Sequence, residues 1–107
     1  GGIATSTVDV SGSFATNILS DNTAALTLTN IHRTIINTGA ATTYTLPVAS
    51  TCRGREYVIA NHGTGDITFA TAVRVANGVT ITTLSNVAGT NNITIQSDGT
   101  TWVKTSN

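Results

Sequence analysis

The chain has 107 residues, a length that suits a single domain. Five Lys and Arg residues balance five acidic residues, and only 9% of the chain is charged, against a usual share of about 25%. A protein that holds nucleic acid needs several basic side chains clustered on one face. Because the basic residues here are scattered along the sequence, we expect no nucleic-acid partner.

Cys52 is the single cysteine, so no disulfide can form within the chain. Small domains that lack disulfides often gain stability by oligomerisation. The sequence contains no stretch near 18 apolar residues, which predicts no membrane insertion. It also contains no Met, which we interpret as the mark of a processed product or of part of a longer protein.

Threonine is the commonest residue, and it alternates with apolar residues in short runs. This period of two is typical of half-buried strands, in which the branched side chain of Thr suits the pleat and its hydroxyl faces water. The runs are residues 26–28, 44–46, 67–69, 79–81 and 93–95. Turn residues separate them, and no window has the apolar spacing of a helix. The sequence therefore predicts an all-β fold, an antiparallel β-sandwich or jelly-roll-like head.

Two hairpins can be placed from Asx-Gly pairs. The Asp-Gly pair at 98–99 predicts a two-residue turn that sets Ile95 directly opposite Trp102. The Asn-Gly pair at 77–78 predicts a second two-residue turn. Pro47 cannot donate to a sheet ladder and should end the strand before it.

The strongest strand patterns supply the expected core. We expect Ile59, Phe69, Ile95 and Trp102 to be buried there, because large apolar side chains at alternate positions fill one face of a sheet. Residues 1–30 carry few large side chains and are predicted to form a shaft-like or N-terminal β segment. The denser pattern of residues 31–107 is predicted to form the head.

Three stretches of the sequence stand out together: residues 42–49 (TTYTLPVA), 54–61 (GREYVIAN) and 95–102 (IQSDGTTW). Together they resemble a module near the C-termini of bacteriophage tail-fibre and virion spike proteins. Residues 8–14 (VDVSGSF) are similar to a shaft repeat of the same proteins. The resemblance implies a trimeric, β-rich virion component and carries no catalytic motif.

The residues that carry chemistry elsewhere have plain structural interpretations here. Asp21 and Asp98 lie in turn signals, and no spacing of the acidic residues favours the paired carboxylates of a glycosidase. His32 and His62 lack the second ligand that a metal site needs. Cys52 reads as a small loop residue beside basic side chains. We therefore expect no enzyme activity, no metal and no cofactor.

The two longest turn-rich segments of the denser half, residues 61–65 and 85–91, are the candidate receptor-binding loops. The candidate residues are His62, Thr64, Asn86 and Asn91, whose imidazole, hydroxyl and amide groups can exchange hydrogen bonds with a sugar without using charge. The simpler interpretation is that these loops only connect strands.

These observations predict a structural module of a virion fibre or spike, located on the virion surface. It would form a homotrimer and contribute to host attachment, with a host-surface glycan or protein as partner. Two alternatives remain open at this point. One is a bacterial extracellular adhesin or carbohydrate-binding β-sandwich, and the other is an accessory domain of a phage depolymerase.

Overall fold

A computed structural model describes residues 11–107, and within them the chain forms nine strands and one short 3-10 turn. The strands are β1 Ile18–Asp21, β2 Ala25–Thr27, β3 Thr34–Asn37, β4 Thr42–Thr45, β5 Glu56–Asn61, β6 Ile67–Ala76, β7 Val79–Leu84, β8 Asn92–Ser97 and β9 Trp102–Ser106. The 3-10 turn, Ala49–Thr51, follows Pro47, which lies just beyond the end of β4 as expected.

The first six strands form three stacked coils, each made of two consecutive strands. Strands β1, β3 and β5 lie side by side and parallel, with Ile18 opposite Thr34 and Thr34 opposite Val58. Strands β2, β4 and β6 form a second parallel row. Each coil therefore contributes one strand to each row, and the chain climbs one strand spacing per coil.

The last three strands join the two rows. β8 is antiparallel to β5, and β9 is antiparallel to β8 and parallel to β6. β7 folds back antiparallel on β6. The result is one curled mixed sheet, a half-barrel with the order β1-β3-β5-β8-β9-β6-β4-β2. The edges at β1 and β2 have no further strand in residues 11–107.

The all-β class is confirmed, whereas a sandwich or jelly roll is not. Only three of the eight strand pairs found in the described residues are antiparallel, and five are parallel. The reason lies in the turns after β1, β3 and β5. Their residues predict turns between antiparallel strands, but in the structure each turn is a corner that carries the chain from one row to the other.

Aligned side chains from successive coils fill the space between the rows. Leu26, Tyr44 and Phe69 occupy equivalent positions in the second row, and Ile35 and Ile59 face them from the first. All four of the expected core residues, Ile59, Phe69, Ile95 and Trp102, are buried to at least 98%.

The two-residue turn predicted at 77–78 is present, whereas the register predicted at 98–99 is wrong. Ala76 pairs with Val79 across the turn at 77–78, and a register shift then places Arg74 opposite Thr80. At 98–99, however, Ser97 pairs with Trp102, so the loop contains four residues and the register shifts by two. Asp98 causes the longer loop, because its carboxylate accepts hydrogen bonds from the backbone N–H groups of Thr100 and Thr101 at 2.9 and 2.8 Å. A shift of two keeps every side chain on its face, so Trp102 remains in the core.

The predicted boundary between residues 1–30 and 31–107 stays a prediction. Strands β1 and β2 belong to the same sheet as the later strands. Residues 8–10 of the shaft-like repeat at residues 8–14 lie outside the described residues.

Candidate functional site

The turns that follow β1, β3 and β5 stack on one another, and the loop after β7 lies beside them. We call this surface the corner ridge; it comprises residues 22–24, 38–41, 62–66 and 85–91. Backbone hydrogen bonds hold one corner on the next: the N–H of His62 donates to Asn37 O at 2.9 Å, and the N–H of Thr64 donates to Gly39 O at 2.8 Å. The ridge is therefore a regular and rigid edge of the fold.

Two buried asparagines fix the corners from inside. Asn37 and Asn61 occupy equivalent positions in successive coils and are fully buried. The Asn37 Nδ2 group donates to Asn61 Oδ1 at 3.0 Å, and Asn61 Nδ2 donates to Gly65 O and Leu84 O at 2.8 and 3.0 Å. Asp21 holds the equivalent position in the first coil and accepts from the Thr23 hydroxyl. This column, which we call the amide ladder, satisfies backbone groups that the corners would otherwise bury unpaired.

Glycine is required where the corners approach most closely. A Cβ at Gly65 would lie 2.6 Å from Ala41 N, and one at Gly63 would overlap Gly39 O. The N–H of Gly63 also donates to Asn61 Oδ1 at 3.2 Å. The Asn-x-Gly sequence at each of these corners thus joins the amide ladder to the ridge.

The structure brings the four predicted receptor-binding residues to the corner ridge. Asn86 Nδ2 donates to Gly63 O, and Asn91 Nδ2 donates to Asn61 O, both at 3.1 Å. These amide groups therefore tie the 85–91 loop to the neighbouring corner. The side chains of His62 and Thr64 are exposed on the ridge.

An open groove of about 590 Å³ lies at the other end of β1, β3 and β5 from the corner ridge, where the turns that precede these strands come together. We call it the basic groove; it is lined by residues 16–17, 30–33 and 52–56. Its lining holds three of the five Lys and Arg residues in the chain, Arg33, Arg53 and Arg55, and one acidic residue, Glu56. The sequence did not predict this site, because Arg33 is distant from the other two arginines along the chain.

Each arginine of the basic groove is held by an acceptor. Arg33 forms an ion pair with Glu56 at 2.6 Å. Arg55 Nη1 donates to Asn30 O at 3.2 Å, and Arg53 Nε donates to the main-chain carbonyl of Asp98 at 3.2 Å. The groove therefore combines an excess of positive charge with guanidinium groups whose positions are partly fixed.

His32 lies at the same groove, where its Nδ1 accepts a hydrogen bond from the backbone N–H of Thr29 at 2.9 Å. In this arrangement the neutral imidazole carries its proton on Nε2. Beneath the groove, Tyr57 donates its hydroxyl to Thr29 O at 2.9 Å. Burial raises the pKa of Tyr57, although the nearby Arg55 charge opposes the rise.

A second, more apolar groove of about 460 Å³ lies beside β6 and β9 and includes Val48, Arg74 and Trp102 in its lining. The ring of Trp102 is only 1% exposed, and its Nε1 donates to Pro47 O at 2.8 Å. Tyr44, Tyr57 and Phe69 are buried as well. In residues 11–107, Phe14 is thus the only aromatic ring exposed enough for a sugar to stack on.

Asp98 connects these two grooves electrostatically. The backbone N–H groups of Thr101 and Thr100 hold the pKa of the Asp98 carboxyl below its ordinary value, and the Arg74 charge acts in the same direction. The ionised carboxylate lies 3.4 Å from Arg74, while its own main-chain carbonyl holds Arg53. The Asp98 carboxylate is therefore already paired with Arg74, which lies outside the basic groove.

Within residues 11–107, no three His, Cys, Asp or Glu side chains come together as metal ligands. That part of the chain also contains no helix long and apolar enough to span a membrane. Comparison with protein-family models, curated proteins and solved structures found no match to this chain.

Proposed function

We propose that the chain is a structural module of a virion fibre or spike, that it assembles as a homotrimer, and that it contributes to host attachment. Its place is the virion surface, and its partner is a host-surface glycan or protein. A head built as a β-sandwich or jelly roll is not part of this proposal, because the stacked coils take its place.

The observation that carries the proposal is that the two ends of the coil stack differ. At one end, β1 and β2 each have a single hydrogen-bonded neighbour among the described strands, and at the other end β8 and β9 join the rows. An open parallel edge accepts further strands, whereas a closed end protects the last coil from such pairing. An elongated fibre with a finished tip needs both kinds of end.

The expected trimer contact lies near the open end, where apolar side chains face water. Phe14 and Ile18 are 71% and 64% exposed in the single chain. Replacing both with Asp should convert the trimer to a monomer at micromolar concentration, because charged groups in an apolar interface lose hydration without gaining partners. Sedimentation velocity measures this change.

The control is Val87→Asp, which places one such charge at a residue that is 61% exposed on the corner ridge. This variant should remain trimeric. A double variant of Phe14 and Ile18 with an unchanged sedimentation coefficient would move the interface to another surface.

The attachment role is tested on the corner ridge. His62 and Thr64 hold their turn through backbone N–H groups, so replacing both side chains with Ala should leave the fold intact. We expect this double variant to lose saturable binding to bacterial cells that bind the labelled parent chain. Thr82→Ala, an exposed change on β7, is the control and should bind as the parent does.

Asn86 and Asn91 are less suitable for this binding test, because their amides also tie the loop to the neighbouring corner. If the double variant of His62 and Thr64 binds the cells with unchanged affinity, the ridge is only a connection. Attachment would then require another surface of the same module.

A further inference from the structure

The basic groove is the strongest concentration of unbalanced charge in the described chain. The whole sequence has five basic and five acidic residues, so its formal net charge is zero. The groove is lined by Arg33, Arg53 and Arg55 against Glu56 alone, which leaves two positive charges in excess. A concave surface with charges of one sign concentrates the potential that attracts a counter-ion.

Each guanidinium retains capacity for a ligand. A guanidinium has five N–H donors arranged in a planar fork. Arg53 and Arg55 each direct one recorded hydrogen bond to a main-chain carbonyl, of Asp98 and Asn30 respectively. These contacts restrain the side chains without neutralising them, because a carbonyl carries no net charge. A carboxylate can then be bound by two parallel N–H donors.

The remaining lining suits a sugar ring. Thr16, Asn17 and Asn30 supply hydroxyl and amide groups that can exchange hydrogen bonds with sugar hydroxyls. Ile31, 67% exposed, adds an aliphatic contact for the C–H face of a ring. A binding site of this kind combines apolar contact area with a few placed polar groups.

From this combination we infer that the basic groove binds the carboxylate-bearing sugar units of an acidic polysaccharide. A polynucleotide is the less suitable ligand, since it requires basic side chains along an extended track and the cluster here is confined to one groove. The inference concerns a different surface from the corner ridge. Its biological meaning, recognition of an acidic surface polysaccharide, rests on the proposed attachment role.

Calorimetric titration of the intact chain with a tetramer of galacturonic acid tests the site. The fully methyl-esterified tetramer is the matched ligand, because it has the same sugar rings without the negative charges. We expect the acid to bind and the ester to bind at least about tenfold more weakly, since hydrogen bonds to a charged group are the stronger kind. Raising the salt concentration should weaken binding of the acid.

The double variant Arg53→Gln, Arg55→Gln should weaken binding of the acid by about tenfold or more. Lys104→Gln is the control: it removes one positive charge outside the basic groove and leaves the ion pair between Arg74 and Asp98 in place. It should bind the acid as the parent does. Circular dichroism and the melting temperature show whether each variant is folded.

Several results would overturn the inference. Equal binding of the acid and its methyl ester would show that the carboxylate is not recognised, and an equal loss of binding in Lys104→Gln would show that the effect is one of overall charge. Tighter binding of inorganic phosphate or of an octathymidylate would assign the groove to a different anion. Absence of binding by the acid would remove the site altogether.

The same variants separate this inference from the proposed function. If the parent binds the acid but no bacterial cells, the groove stands and the attachment role fails. If cells bind the double variant of Arg53 and Arg55 as well as the parent, attachment stands and the groove is not its basis.

Discussion

Asn61→Ala should lower the free energy of unfolding by about 3–5 kcal/mol, because it leaves several buried polar groups without partners. Asn61 is fully buried, and its Nδ2 group donates to Gly65 O and Leu84 O. Its Oδ1 atom accepts from Asn37 Nδ2 and from the backbone N–H of Gly63. One substitution thus disconnects the last coil from both the amide ladder and β7. Urea unfolding followed by tryptophan fluorescence measures the loss.

Asn22→Ala is the control for this prediction. Asn22 occupies the corner of the first coil, but its side chain is exposed. We expect a change within about 0.5 kcal/mol for this variant. The two proteins should be compared at the same chain concentration, because assembly adds to apparent stability. Similar stabilities for both variants would show that the buried amide does not hold the corners together.

Trp102→Ala should lower the free energy of unfolding by about 3–5 kcal/mol, the usual range for truncation of a buried Trp. The indole lies at the junction of the two rows, with its ring centroid 5.3 Å from that of Tyr57. Its Nε1 donates to Pro47 O at 2.8 Å, which connects β9 to the segment after β4. Removing the ring therefore loses both core packing and a link across the sheet.

Trp102→Phe separates these two contributions. Phenylalanine keeps an aromatic ring beside Tyr57 but cannot donate to Pro47 O, so we expect an intermediate loss of about 1–2 kcal/mol for the hydrogen bond, in addition to some lost packing. Val79→Ala, at a residue 49% exposed, should change stability little. Thermal unfolding by circular dichroism compares all three. An alanine variant as stable as Val79→Ala would contradict the core position of Trp102.

The fold class and core could be predicted because both depend on local alternation. Phe69 and Ile95 lie at alternate positions within Thr-rich runs, and a period of two places them on one face whichever strand is the neighbour. Strand direction is a different matter. Asn37 and Asn61 are typical turn residues, but in the structure they end β3 and β5 at the corners between the rows, where their side chains hydrogen-bond to groups of the corner.

The sequence contains the three equivalent coils, but the intervals between them along the chain are unequal. Residues 18–28, 34–46 and 58–70 each contain an aliphatic strand, an Asp or Asn at its end, and a second strand after a short corner. Comparing these segments as repeats would have predicted parallel stacking. The longer connection between the second and third coils, which contains the 3-10 turn, obscures the period.

The candidate sites differ in how far sequence could predict them. Composition favoured uncharged loops, and the structure places His62 and Thr64 on one exposed ridge. The sequence could not show that the amides of Asn86 and Asn91 contact backbone carbonyls, because those contacts depend on the stacking of the corners. The basic groove could not be predicted from the sequence either, because Arg33 lies near Arg53 and Arg55 only when β3 and β5 are adjacent.

The mass of the chain in solution tests the proposed fibre module most directly, since assembly separates it from a monomeric adhesin or sugar-binding domain. Sedimentation equilibrium at micromolar concentration should give three times the chain mass of 10.9 kDa. A stable, folded monomer under the same conditions would contradict the proposal.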